Sequence, residues 1–174
     1  PARRSSPPPT SGASSQNPMQ VIEQLRALDE AHFHAIYETL SEKGFGPLDG
    51  EVAKALRFRP QAIKKLPLQQ RSKRAKMILE QTANAELTYE LFGTYLMSSN
   101  KALITDFLDG TGVEHDEGMI ENLEDCKPDP TKLESTLSDL DAKYAPADVT
   151  LYMAMAAEQW GNVPEVEAAW RKRL

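Results

Sequence analysis

From Met19 onward the apolar residues of this chain recur every three or four positions, and no stretch alternates apolar with polar as a half-buried strand would. A period near 3.6 lines up side chains on one stripe of a helix, whereas a strand needs period two. The pattern therefore predicts an all-α fold, a multi-helix bundle of about seven or eight short to medium helices. Short connections favour sequential neighbours in that bundle. No repeat of fixed period supports a solenoid.

Proline, glycine and capping residues divide the pattern into segments. A first helix is expected over 18–42, capped by Asn17, opened by Pro18, striped by Val21, Leu25, Leu28, His32, Ile36 and Leu40, and ended by Gly44, Gly46 and Pro47. Asp49 is placed to cap a short helix with Val52, Ala53 and Leu56, which Pro60 stops because proline pushes the residue before it out of helical conformation. One turn with Ile63 and Leu66 leads to a helix over 67–82, whose inner side is Leu68, Ala75, Ile78 and Leu79. Asn84 caps a helix over 85–97 whose Leu87, Tyr89, Leu91, Phe92, Tyr95 and Leu96 cover more than one face, so it is expected at the centre.

A short helix with Leu103, Ile104, Phe107 and Leu108 then ends near Gly110, read as a left-handed cap, and an acidic loop anchored by Ile120 and Leu123 follows. Asp129-Pro130 opens a helix carrying Leu133, Leu137, Leu140 and Tyr144. Pro146 opens another with Val149, Met153, Ala156 and Trp160, where Ala154, Ala156 and Ala157 admit a close neighbour. After Gly161, Asn162 is read as a cap and Pro164 opens a last helix with Val166 and Trp170.

A chain of 174 residues is the size of one domain and buries about 70% of its unfolded surface, enough for a core without staples. Residues 19–174 are read as a single helical domain. Residues 1–18 hold five prolines, five serines and no acid, too little apolar surface to offset the entropy of ordering. They read as a disordered tail or linker. A targeting segment and a cloning remnant fit the same composition, although the prolines oppose the amphipathic helix of a transit peptide. The single cysteine, Cys126, has no partner for an internal disulfide, which points to a reducing, cytoplasmic location. No apolar run approaches the ~20 residues of a membrane span, so a soluble protein without membrane contact is expected.

Charge is the strongest functional signal. Between Val52 and Leu79 lie Lys54, Arg57, Arg59, Lys64, Lys65, Arg71, Lys73, Arg74 and Lys76 with no acid, although the chain is net −6. From Asp106 to Asp148 there are thirteen carboxylates against Lys127, Lys132 and Lys143. Such polarity asks for partners, in another chain or within the same one.

The recognisable chemical motifs fail on spacing. Glu30, His34 and Glu38 share a helix face, but a bundle metal site needs a Glu-x-x-His pair from each of two helices, which this chain lacks. In 106–118, putting Gly110 at the invariant glycine of a calcium loop places Thr105 and Phe107 at ligand positions, and neither suits. His115 lies between Glu114 and Asp116 without an identifiable nucleophile, and Cys126 has no signature around it. No catalytic residue, metal ligand or cofactor is assigned, and the balance leans away from an enzyme.

The expected function is a non-enzymatic helical protein-interaction or assembly module. It would meet a protein partner or a second copy through the nine basic residues of 54–76 and the acidic stretch 106–148. A nucleic-acid accessory protein gripping phosphates through the same patch is the second reading. It is opposed by a pI near 5.2 and by Phe58 being the only aromatic in the segment. A histidine- or metal-dependent enzyme of unknown substrate is the third.

Overall fold

The computed structural model describes residues 20–44, 46, 49–50, 53–54 and 60–174. Within them lie nine α-helices and no strand: α1 (Gln20–Ala27), α2 (Glu30–Glu42), α3 (Pro60–Ile63), α4 (Leu68–Thr82), α5 (Ala85–Ser99), α6 (Lys101–Gly110), α7 (Leu133–Lys143), α8 (Pro146–Gln159) and α9 (Pro164–Arg171). A 3-10 turn over Pro130–Lys132 leads into α7. None of these helices is long and apolar enough to cross a membrane.

The helix expected over 18–42 divides at Asp29. Asp29 has extended backbone, and its carboxylate accepts the His32 N–H at 2.6 Å. The side chain thus satisfies a first-turn donor and restarts the helix with a new phase. That phase buries Phe33 and Tyr37 beside Ile36 and Leu40 and leaves His32 at the edge of the core. The cap expected at Asn17, the residues Val52 and Leu56, and the reading of 1–18 lie outside the described residues.

The central position expected for the helix after Asn84 is found. Asn84 accepts the Leu87 N–H at 3.1 Å, and α5 packs against α1, α2, α4, α6 and α8. α8 is buried nearly all round, from Asp148 to Ala157, and its alanines let α1, α5 and α9 approach. The contact of α1 with α8 makes this more than a bundle of sequential neighbours: first and penultimate helices meet, and Trp170 of α9 donates through Nε1 to the buried Gln24 of α1 at 2.8 Å. One hydrophobic core runs through all of these helices. Each fully buried Leu, Ile, Val or Phe in it contributes about 1.5–3 kcal/mol relative to exposure.

Two end signals act differently from expectation. Gly110 is not a left-handed cap but a helical residue, and a Cβ there would lie 2.7 Å from Thr136 of α7. Its missing side chain is what lets α6 and α7 close, and filling that space would cost about 1–3 kcal/mol in overpacking. The left-handed glycine is Gly112, with φ +75°. Asn162 makes no capping bond, since Val163 occupies the cap position of α9. In the following loop Ile120 packs on the core while Leu123 stays exposed. The loop is tied down instead by Trp160, which donates to the Cys126 carbonyl at 3.0 Å.

Candidate functional site

α4 forms because Pro67 breaks the chain before it and Ser72, Ala75, Ile78 and Leu79 recur on the side facing the core. Its basic residues are thereby driven to the flanks and the outer face. Two structural fates follow. Lys73 and Lys76 lie along a shallow groove between α2 and α4, where Lys73 faces Glu30 at 3.8 Å and Lys76 bonds Glu80. Arg71 sits with its guanidinium carbon 6.0 Å from the centre of the Tyr37 ring. Burial and a hydrogen bond to Asp49 push the Tyr37 hydroxyl pKa up, so it stays a neutral donor.

Lys54, Lys64 and Lys65 are exposed, Arg74 is half-buried, and none of these four has a carboxylate partner among the described residues. Arg57 and Arg59 lie outside the described residues. The outer face of α4 presents Lys73 and Arg74 on either side of Met77, which is 46% exposed.

Some carboxylates of the acidic half are wired internally. Asp106 accepts from Lys143 at 2.7 Å and from Tyr144, and these donors hold its carboxyl below the ordinary range. Asp141 is likewise lowered by a bidentate bond from Arg173 at 2.6 and 2.7 Å. Glu117 reaches Lys101 at 3.2 Å. Glu114, Asp116, Glu121, Glu124, Glu134 and Asp139 have no ion-pair partner among the described residues.

Each histidine has a structural occupation. His115 Nδ1 accepts the Gly118 N–H at 3.0 Å, which leaves Nε2 as the ring donor to Asp109 at 2.7 Å. Both nitrogens are used in pinning the tight Glu117-Gly118 turn, so the cleft lined by His115 and Cys126 offers no free imidazole nitrogen. His34 Nδ1 lies 3.0 Å from Ser72 Oγ, and its Nε2 lies 3.8 Å from Glu38. That row resembles a relay in composition, but Ser72 is buried mid-helix and also bonds the Gln69 carbonyl. No group of three or more His, Cys, Asp or Glu among the described residues is arranged to hold a metal ion.

The sequence reading missed one polar node. Asp148 accepts from Asn100 at 3.1 Å and Tyr95 at 3.3 Å, with His32 Nε2 at 3.4 Å. The node ties α2, α5 and α8 together inside the wall of the bundle, and burial followed by Asp148 raises the Tyr95 pKa. Only the apolar period flanking Asp148 hinted at burial, because its position just after Pro146 looks like an ordinary helix opening.

No family model matches this chain, and neither a curated protein nor a solved structure matches it.

Proposed function

We propose that this chain is a non-enzymatic, cytoplasmic protein-interaction or assembly module whose basic α3–α4 surface docks an acidic protein surface. One observation supports this reading above the others. Helix α4 begins with no side-chain cap and no acid in its first turn, while exposed Lys64 and Lys65 stand just before it and Arg71 lies in that turn. The start of a helix carries the positive end of its dipole, so a cation there costs about 0.3–1 kcal/mol where an acid would gain as much. Arg71 in the first turn is held against this dipole, and exposed Lys64 and Lys65 stand beside it without carboxylate partners among the described residues, which suits a surface kept for recognition. The lone half-buried Cys126 suits a reducing compartment.

The test is capture on immobilised polyglutamate and on duplex DNA at low and moderate salt. The wild-type chain should bind polyglutamate, and Lys64→Glu/Lys65→Glu/Arg74→Glu should not. Equal or stronger binding to DNA, with affinity falling steeply as salt rises, would replace this reading with phosphate recognition.

A further inference from the structure

On the opposite side of the molecule α7 and α9 enclose an open groove. Leu133 and Leu137 form its floor, Ala168 keeps one wall low, and Glu134, Glu165 and Lys172 stand on the rims. Arg173, just past α9, bonds Asp141 near the end of α7, so the two helices run in the same direction. Their first turns, which carry Glu134 and Glu165, therefore share one end of the groove, and Lys172 lies at the other. The groove is apolar in the middle, acidic at one end and basic at the far end.

The outer face of α4 is the complement of this pattern. Met77 is a large apolar side chain left 46% exposed. Arg74, without a carboxylate partner among the described residues, and Lys73, loosely paired with exposed Glu30, precede it by one turn, and Glu80, bonded by Lys76, follows it within one turn. The spacing also agrees: Arg74 leads Met77 by three residues and Glu134 leads Leu137 by three, ~4.5 Å along either helix.

We propose that the α7/α9 groove seats α4 of a second copy of this chain. Met77 rests on Leu133 and Leu137, unpaired Arg74 faces Glu134, and Lys73 exchanges its exposed partner Glu30 for Glu165. This is helix-in-groove recognition with charge setting the direction, and it rests on the docking role given above to the basic surface. The contact joins two different patches, so every copy keeps one groove and one helix free and the assembly grows head to tail unless it closes into a ring.

Sedimentation velocity on the full chain tests this, with circular dichroism checking that each variant is folded. Wild-type mass should rise above the monomer as concentration reaches the high micromolar range, and fall back with added salt. Ala168→Arg blocks the groove and Arg74→Glu/Met77→Glu spoils the helix; Ala168 and Met77 are exposed and Arg74 half-buried, and each variant should stay monomeric. Mixed one to one, they should form a dimer and nothing larger, because one intact groove and one intact helix remain. Ala168→Glu serves as a second groove variant and should behave like Ala168→Arg.

A wild-type chain that stays monomeric, folded variants that associate like wild type, or an inert mixture would each overturn the proposal. A monomeric wild type that still binds polyglutamate through Lys64 and Lys65 removes the self-docking alone. One that binds neither itself nor polyglutamate removes the docking reading with it.

Discussion

The acidic stretch 106–148 and the basic stretch 54–76 look symmetric as sequence counts, yet the fold builds three of the carboxylates into multi-donor contacts that have no counterpart at four of the cations. Asp106, Asp141 and Asp148 each hold two or more donors, whereas Lys54, Lys64, Lys65 and Arg74 hold no carboxylate among the described residues. Part of the acidic excess is therefore internal wiring, while Glu114, Asp116, Glu121, Glu124, Glu134 and Asp139 stay without an ion-pair partner among the described residues, as those four cations do. A charge count measures supply; pairing decides what field reaches a partner.

The comparison breaks most visibly at Asp148. Asp148→Ala leaves Asn100, Tyr95 and His32 without their shared acceptor in the wall between α2, α5 and α8. An unsatisfied buried donor costs about 1–3 kcal/mol, so urea unfolding should report a loss of roughly 3 kcal/mol if part of the node rehydrates. A loss below about 0.5 kcal/mol, the range of an ordinary surface substitution, would show that this carboxylate is no more structural than the lysines.

Glu158 sharpens the contrast through pH. It lies on α8 beside the start of α1, one of its oxygens is buried without a partner, and burial lifts its pKa from 4.5 to about 7, partly offset by a hydrogen bond from the Val21 N–H. A carboxyl with a raised folded-state pKa holds its proton more tightly when folded. Its stabilising contribution is thus complete below pH 4.5 and is lost as pH climbs through about 7. Asp106 and Asp141 act with the opposite sign: their lowered values add stability above the ordinary 3.8 that is lost on acidification. Glu158→Gln removes the upper limb only. Thermal melts should show the variant gaining on wild type from pH 5 to about pH 7 and levelling off above it, and a difference that stays constant across that span would sink the assignment.

What the sequence made legible follows the same division. Apolar period placed α4 to α9 and the central role of α5, because burial of a stripe is a local property of the chain. The break at Asp29 was hidden because a capping aspartate inside a continuous apolar period looks like one more solvent-facing charge. The Asp148 node joins residues 32, 95, 100 and 148, which only the packing of three helices brings together. Gly110 carried the right signal for a wrong reason: glycine serves both left-handed caps and close helix contacts, and Thr136 on another helix decides between them. The nine cations were all visible, but which of them Glu30, Glu80 and Tyr37 would occupy was not.

The smallest expected effect on stability is at Lys64 and Lys65, and its smallness carries the argument. Both are exposed, both precede α4, and neither has a carboxylate partner among the described residues. Removing them loses no ion pair among the described residues, and their position between the negative end of α3 and the positive end of α4 makes the two dipole contributions oppose. Lys64→Ala/Lys65→Ala should therefore change the unfolding free energy by less than about 0.5 kcal/mol at low and at moderate salt. The same variant should lose most of its capture on polyglutamate, as a surface retained for docking requires. Destabilisation beyond that range would mean that the turn before α4 depends on these side chains for its own packing, and the difference drawn between the wired acids and the free cations would disappear at the place where it matters for function.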